Sequence, residues 1–562
     1  MTYGHGSGQG HGTPPVWKQW LFTVDHRKIG IMYLVTAYFF FLVGGIEALL
    51  VRTELAGPGQ TIVEAQTYNM LFSLHGTTMV FLWIIPVMAG FGNYFIPLMV
   101  GARDMSFPRL NAMSYWMYVA AGCLIYIGFL WGDIAAVGWT AYPPLSASPS
   151  GSVCLADDCS TYATRGVDLW ILGVQLVGAS SMLGGINFVV TVFKERSPDI
   201  NWNNMPLFIW AQITTSFLVI FATPVIGTAL IMLFFDRNYG THFFVGAGSD
   251  PVLFQHLFWF YSHPAVYVMI LPAMGIISEV LPRMVRRPIF GYHAIAYSSA
   301  AIGFLGFMVW AHHMFTTGID PRVRMGFMLM TMIIAVPSGV KIFNWLATIW
   351  GGEVRFTAPM LWVLGFISMF TIGGIDGVYQ AAIPVDYNLH DTYWVVSHLH
   401  YVVFGGSVLG VYAGIYYWWP RMTGRMYHKG LAVWHFWLTM IGLNIVFMTM
   451  HFLGLAGMPR RVYDYVDTYT AMNLFATIGA FILGLGQIPF LVNVFYSLKN
   501  GPRVAGDPWG GQPGIEWRSY RPEPGAVAVN AEAPEAWPKH APAADGGAAR
   551  TPTTSETFSG GK

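Results

Sequence analysis

The segment His390-Asp391-Thr392-Tyr393-Trp394-Val395-Val396-Ser397-His398-Leu399-His400-Tyr401 places three imidazoles in a run that otherwise reads as membrane-buried helix. His398 and His400 are two residues apart, and at about 100° per residue their side chains leave a helix roughly 200° apart, on opposite faces. One helix would then serve two separate metal centres, because a neutral imidazole is a ready iron ligand and a polar ring among apolar side chains needs such a partner. Three further stretches carry histidine in the same setting. His75 lies in Leu71-Phe72-Ser73-Leu74-His75-Gly76-Thr77-Thr78, where glycine and small hydroxyl residues leave room for a flat macrocycle. In Trp259-Phe260-Tyr261-Ser262-His263-Pro264-Ala265-Val266-Tyr267, His263 and Tyr267 share a helix face at i and i+4. The neighbours His312 and His313 diverge by only about 100° on a helix, so both rings can reach one ion. Three imidazoles without a nearby carboxylate or thiolate suit copper, although ligand type alone also admits zinc or iron. Taken singly, any of these histidines could instead be hydrogen-bonded between helices.

The elements that must position them are membrane helices. Of the 562 residues 54% are hydrophobic and only 10% charged, and the mean hydropathy is +0.49, which excludes an ordinary water-soluble domain. With a net charge of +1 and its basic residues dispersed, the chain offers no patch for nucleic acid. Apolar runs long enough to cross about 30 Å of hydrocarbon recur over residues 29–50, 69–100, 112–131, 168–193, 206–235, 251–280, 294–315, 327–349, 359–378, 392–419, 433–455 and 471–496. An all-α bundle of twelve transmembrane helices is therefore expected. If the spans alternate, Lys18, Arg27, Lys28, Arg103, Arg109, Lys194, Arg283, Arg355, Arg421 and Lys499 fall on one side with both termini, and the positive-inside rule makes that side cytoplasmic. The chain divides into an N-terminal tail (1–24), a membrane domain (25–499) and a Pro/Gly/Ala-rich C-terminal tail (500–562) that is expected to be disordered. Residues 1–15 lack the charged and apolar regions of a cleavable signal peptide, and His5 and His11 sit in that tail. Cys123 reads as a small core residue, while Cys154 and Cys159 share one polar loop in which a disulfide is an open alternative.

Buried polar residues outside the histidines point to proton movement. Lys341 is the only lysine deep in a span, and Thr331, Ser338 and Lys341 form one stripe along the eighth helix that could carry a proton toward Tyr267. By itself Asp104 is an ordinary loop acid beside Arg103.

Together, Tyr261-Ser262-His263-Pro264-x-Val266-Tyr267, Trp310-Ala311-His312-His313-Met314, Pro337-Ser338-Gly339-Val340-Lys341 and the His390 to Tyr401 segment resemble subunit I of the haem-copper terminal oxidases, over a match running from about Val24 to Tyr496. The resemblance implies that His75 and His400 clamp a low-spin haem, that His398 holds a high-spin haem, and that His263, His312 and His313 bind the copper facing it. The iron with two imidazoles passes electrons only, whereas the other keeps an open position. Trp259 would border this centre. Tyr267 matches the tyrosine that the family links covalently to the copper-ligating histidine, which favours dioxygen as substrate over nitric oxide. Arg460 and Arg461 match arginines that bind haem propionates, Arg52 matches the one near the low-spin haem's ring substituent, and His390 with Asp391 matches a magnesium site completed by another subunit. Lys341, Ser338 and Thr331, with Ser278 near the start, resemble the family's lysine pathway. Asp104, Asn93, Asn111, Ser180, Ser181 and Asn187 resemble its aspartate pathway. One departure is Ala265, where many members carry a glutamate. Tyr261, one turn earlier, and Ser262 resemble the subgroup that replaces that glutamate with a tyrosine and serine, so Tyr261 is the expected relay. The implied activity is proton-pumping reduction of dioxygen to water in a bacterial cytoplasmic membrane. Haem A, copper and magnesium are the expected cofactors. The expected partners are cytochrome c, a subunit II with its own copper centre, and further small or subunit III-type subunits. Quinol-oxidising relatives carry an arginine and a histidine where this chain has Val43 and Thr67, which leaves quinol as the second donor reading. A plain transporter would explain twelve spans but not six histidines at ligand positions.

Overall fold

Hydrocarbon offers no partner for a free N–H or C=O, so a spanning segment satisfies its backbone internally and coils into helix. The computed structural model describes residues 15–147, 152–155, 158–161, 165–510 and 514–529. Among them, eleven helices are long and apolar enough to cross a membrane: α1 (His26–Glu54), α2 (Ala65–Val100), α3 (Pro108–Leu130), α4 (Arg165–Glu195), α5 (Leu207–Tyr239), α6 (Pro251–Met284), α8 (Pro321–Ile349), α9 (Ala358–Ala381), α10 (Tyr393–Thr423), α11 (Lys429–Leu455) and α12 (Asp467–Asn500). The remaining expected span is α7 (Tyr292–Gly306). At 1.5 Å per residue α7 covers only about 22 Å, and the chain completes the crossing with a 3₁₀ turn, Trp310–Met314. His312 and His313 therefore sit on that turn and not on the α-helix that the apolar run implies. Gly306 ends α7 where a Cβ would stand 3.0 Å from Tyr267 Cδ2, so the helix stops against the ring it must approach.

Two helices are wound wider over one stretch each. α2 is π-helical over Thr78–Ile84, three residues after His75, and α10 over Val403–Val408, three residues after His400. Such insertions shift the register of a helix locally and concentrate at functional sites. No hydrophobic periodicity announces them, because apart from Thr78 and Ser407 these segments are apolar throughout.

The core is aromatic, with Trp83, Trp345, Trp362 and Trp418 fully buried, while Phe39, Phe221, Phe343 and Phe495 face outward. An exterior of large apolar side chains suits lipid as solvent. Twelve crossings bring the start of α1 and the end of α12 to one face, here the terminal face; Arg460 and Asp391 lie at the opposite face. There a hairpin of β1 (Ser152–Leu155) and β2 (Asp158–Thr161) sets Cys154 across from Cys159.

The C-terminal segment departs from the expected tail. Within residues 501–529, Val504, Trp509, Glu516 and Trp517 are buried. Trp509 Nε1 donates to the Tyr417 carbonyl (3.0 Å), Trp418 Nε1 to Glu516 Oε1 (3.1 Å) and Arg421 Nε to the Glu516 carbonyl (2.9 Å), while Arg283 pairs with Asp507. The Pro/Gly/Ala composition masks a few large anchors that bury enough surface to hold the strap down. His5, His11 and residues 530–562 lie outside the described residues.

Candidate metal centres

His75 and His400 face each other from α2 and α10, their ring centroids 6.2 Å apart and their planes 9° from parallel. His75 Nδ1–H donates to the Gly44 carbonyl (2.8 Å) and His400 Nδ1–H to the Val396 carbonyl (2.7 Å). Both Nε2 lone pairs are thereby left free, the tautomer a metal requires. Two imidazole–metal bonds of about 2 Å, each with roughly another ångström to the ring centre, place centroids about 6 Å apart. The pair thus fits one iron between them.

His398 points elsewhere on the same helix, as the spacing requires. Gly377 of α9 lies against it, where a Cβ would stand 3.2 Å from His398 Cε1, so any larger residue would press on the ring. Its Nδ1 is near the Gly373 carbonyl without a well-formed hydrogen bond.

Three imidazoles converge from α6 and the 3₁₀ turn: the nearest ring nitrogens of His263, His312 and His313 all lie within 4.8 Å of one another. His312 Nε2 is 3.0 Å from His313 Nε2, which is 3.3 Å from His263 Nδ1. Thr331 Oγ1 gives its only proton to the Phe327 carbonyl (2.6 Å), so it accepts from His312 Nδ1–H (3.1 Å), and His312 Nε2 is bare. Nitrogens about 2 Å from one ion at tetrahedral angles are about 3.3 Å apart. These three rings fit a shared metal better than a hydrogen-bond network, because the nitrogens that converge face one another, and the Thr331 hydroxyl takes up only the far nitrogen of His312. Trp259 packs flat on His313 at 3.7 Å and 11°, and its Nε1–H donates to the Tyr142 hydroxyl. His263 meets Tyr267 edge to face, 4.7 Å between centroids, and its Nε2 is buried without a hydrogen-bond partner.

Residues 28–482 match the family described as cytochrome c and quinol oxidase polypeptide I. The chain belongs to that family. Among its relatives, cytochrome c oxidase subunit 1 of Thermostichus vulcanus is 52% identical over 91% of this chain and 90% of its own length. The Synechocystis subunit 1 is 52% identical over 89% of this chain and 88% of its own, and that of Bacillus subtilis is 44% identical over 90% and 80%. A solved haem-copper terminal oxidase dimer shares the fold, with a TM-score of 0.71 at 20% identity over 86% of each chain. This oxidase chain is accordingly the catalytic subunit of a haem-copper terminal oxidase.

Around the oxidase centres, buried cationic groups stand ready for anionic or carbonyl partners. Arg52 spends one nitrogen on Asn473 and Thr477 (2.7 to 3.2 Å), while its Nε and Nη1 are buried without hydrogen bonds. Arg460 Nε donates to Asp391 Oδ1 at 2.6 Å. Burial, and then repulsion from Arg460, hold the Arg461 guanidinium down at about 10, which makes a propionate a fitting neighbour. His390 turns Nδ1 to Asp386 Oδ2 (3.2 Å) and presents Nε2 3.7 Å from Asp391 Oδ2. Burial pushes the Asp391 carboxyl up, but Arg460 and His390 more than reverse it, and it stays ionised well into acid.

The lysine stripe is arranged differently from the sequence reading. Thr331 belongs to the histidine trio, and Ser338 bonds back to the Ile334 carbonyl (3.3 Å). Lys341 turns to α7, where Nζ donates to Ser299 Oγ (2.6 Å) and the Ile295 carbonyl (3.1 Å). Ser299, the nearest hydroxyl to that amine, carried no signal, since a serine in an apolar run is usually bonded to its own helix. Ser278 accepts from Trp345 Nε1 at 3.0 Å. On the other route, Asn93 Oδ1 and both polar atoms of Asn111 are buried without partners. A cavity of about 50 Å³ is lined by Asn93, Ser180, Ser181 and Ser216, room for a few waters. Asn187 is committed to the Phe107 backbone and Asp104 caps Met105 N (2.7 Å). Tyr261 and Ser262 are buried, and Ser262 Oγ has no partner.

Proposed function

We propose that the oxidase chain reduces dioxygen to water at the His398 and copper-trio centre, with electrons from cytochrome c arriving through a partner subunit and protons drawn from the terminal face, and that it pumps protons across a bacterial cytoplasmic membrane with both chain ends inside. When bound, two haems, taken to be haem A, and a copper supply the electron transfer and the dioxygen chemistry. The observation that carries this reading is the pairing of free ring nitrogens: one parallel pair sized for an iron, one converging trio sized for a second metal, and His398 between them in sequence on the helix that serves the first.

The protein's own part is to orient and to move protons. Gly44 and Val396 hold the His75 and His400 tautomers, and Thr331 holds that of His312. Tyr267 is the proton donor at the copper side, reached from Lys341 and Ser299. Tyr261 relays protons from the aspartate route in place of the missing carboxylate. Arg52 would meet a ring substituent of the low-spin haem, and Arg460 and Arg461 would pair with haem propionates. Relatives named for cytochrome c oxidation support cytochrome c as donor, as do Val43 and Thr67.

A reduced-minus-oxidised spectrum with metal analysis tests the whole: two spectrally distinct haems and one copper per chain are expected, and an absence of haem bands overturns it. Pyridine extraction then reads the haem type. In the Tyr261→Phe variant, protons pumped per oxygen consumed should fall at least twofold; unchanged pumping and turnover would remove Tyr261 from the route. His390 and Asp391 would hold magnesium with a partner subunit. Growth on manganese should give a bound signal by electron paramagnetic resonance that Asp391→Asn loses.

A further inference from the structure

A buried charge pair lies beside the expected high-spin haem ligand and has no part in the roles above. His451 of α11 is 5% exposed and Asp376 of α9 is 6% exposed. His451 Nε2 is 2.6 Å from Asp376 Oδ2, and His451 Nδ1 is 2.9 Å from Ser397 Oγ. Ser397 is wholly buried and donates its only proton to the Phe447 carbonyl at 2.5 Å. The serine oxygen must therefore accept, and His451 Nδ1 must carry hydrogen. The chain Asp376, His451, Ser397 consequently has a fixed direction.

Both ends of this chain are next in sequence to residues at the same ring. Ser397 immediately precedes His398. Asp376 immediately precedes Gly377, the glycine whose missing Cβ gives His398 its space. Gly373, one turn away, brings α9 into backbone contact with Val402 of α10, since a Cβ there would be 2.8 Å from Val402 N. Trp394 meets His451 edge to face (4.6 Å) and Tyr401 lies over its other side (5.4 Å, 22°), so the imidazole cannot rotate away. A charged pair inside a membrane span is costly, and a packed apolar pair would hold three helices together as well.

We propose that Asp376, acting with His451 and Ser397, is a positioning group for the high-spin haem: it fixes the orientation of His398 and, through its carboxylate, sets how strongly that imidazole donates to the iron. A carboxylate one residue from Gly377, which lies against His398, favours the ferric state. This inference rests on His398 being the high-spin haem ligand.

The test is a redox titration and resonance Raman spectrum of the purified Asp376→Asn oxidase. Asparagine keeps a hydrogen bond to His451 and removes the carboxylate. At a fixed applied potential the ferrous-to-ferric ratio of the high-spin haem should rise about tenfold, a shift of about 59 mV, with the iron–histidine stretch displaced and the low-spin haem unmoved. Unchanged potential and stretch in a haem-replete variant would overturn the proposal and confine the pair to a structural role. If Asp376→Asn fails to assemble, Ser397→Ala serves: loss of the Nδ1 acceptor should displace the same stretch, and an unmoved stretch overturns the proposal equally. A wild-type protein with no high-spin haem, or a high-spin haem retained in His398→Ala, would instead refute the ligand assignment beneath it.

Discussion

In the His400→Ala oxidase, the low-spin haem signal should disappear and oxygen uptake should fall by more than a hundredfold, while copper content stays near one per chain. The expectation follows from how the two centres are built. His400 and His75 hold their Nε2 atoms toward one point through backbone carbonyls on separate helices, Val396 and Gly44. Removing one ring leaves a single ligand opposite a void in apolar surroundings. Loss of a mere supporting hydrogen bond at a metal site costs about 10–100-fold, so loss of the ligand itself should exceed that. His263, His312 and His313 lie on other elements and keep their mutual geometry. The reciprocal His398→Ala variant should retain the low-spin signal and lose the high-spin one. A His400→Ala protein that kept both haem signals and turned over at more than a tenth of the wild-type rate would refute the two-centre reading of this helix.

The separation of His398 from His400 was legible because it needs only helical geometry, and membrane spanning because it needs only length and apolarity. Other features turn on tertiary space. The break after Gly306 falls where α7 packs against the Tyr267 ring of another helix, so the apolar run around His312 and His313 reads as unbroken. The wide turns after His75 and His400 leave no trace in stretches that are apolar apart from Thr78 and Ser407. Lys341 was legible as costly and therefore functional, but its partner Ser299 was not. The Asp376–His451 pair is hidden in the sequence for a related reason: each residue alone is an isolated polar position in a span, and only the packing of α9 on α11 brings them to 2.6 Å. Trp509 and Trp517 were submerged in the average composition of the C-terminal segment.

Lys341→Met is expected to abolish turnover without loosening the fold, and that split separates a proton carrier from a structural amine. Lys341 is 1% exposed, and among the described residues its hydrogen-bond partners are a serine hydroxyl and a main-chain carbonyl. Neither carries a charge to offset the burial of an ammonium, so the position costs stability and selection for packing alone would favour an apolar side chain. Methionine fills nearly the same volume with flexible apolar atoms. It leaves Ser299 bonded to the Ile295 carbonyl at 3.1 Å, so no new orphan is created. The thermal midpoint should therefore hold or rise, and both haem signals should persist. Oxygen uptake should fall by about 10²–10⁴, the range for loss of a positioned proton-transfer group. Ser299→Ala should act in the same direction with a smaller loss, because the amine keeps its carbonyl partner. Electrons should still enter, so the haems of Lys341→Met should stall during steady-state turnover at a level unlike the wild type's. Turnover within twofold of wild type would show that protons reach Tyr267 by another path, while a lowered midpoint with parallel loss of haem would make Lys341 a structural residue.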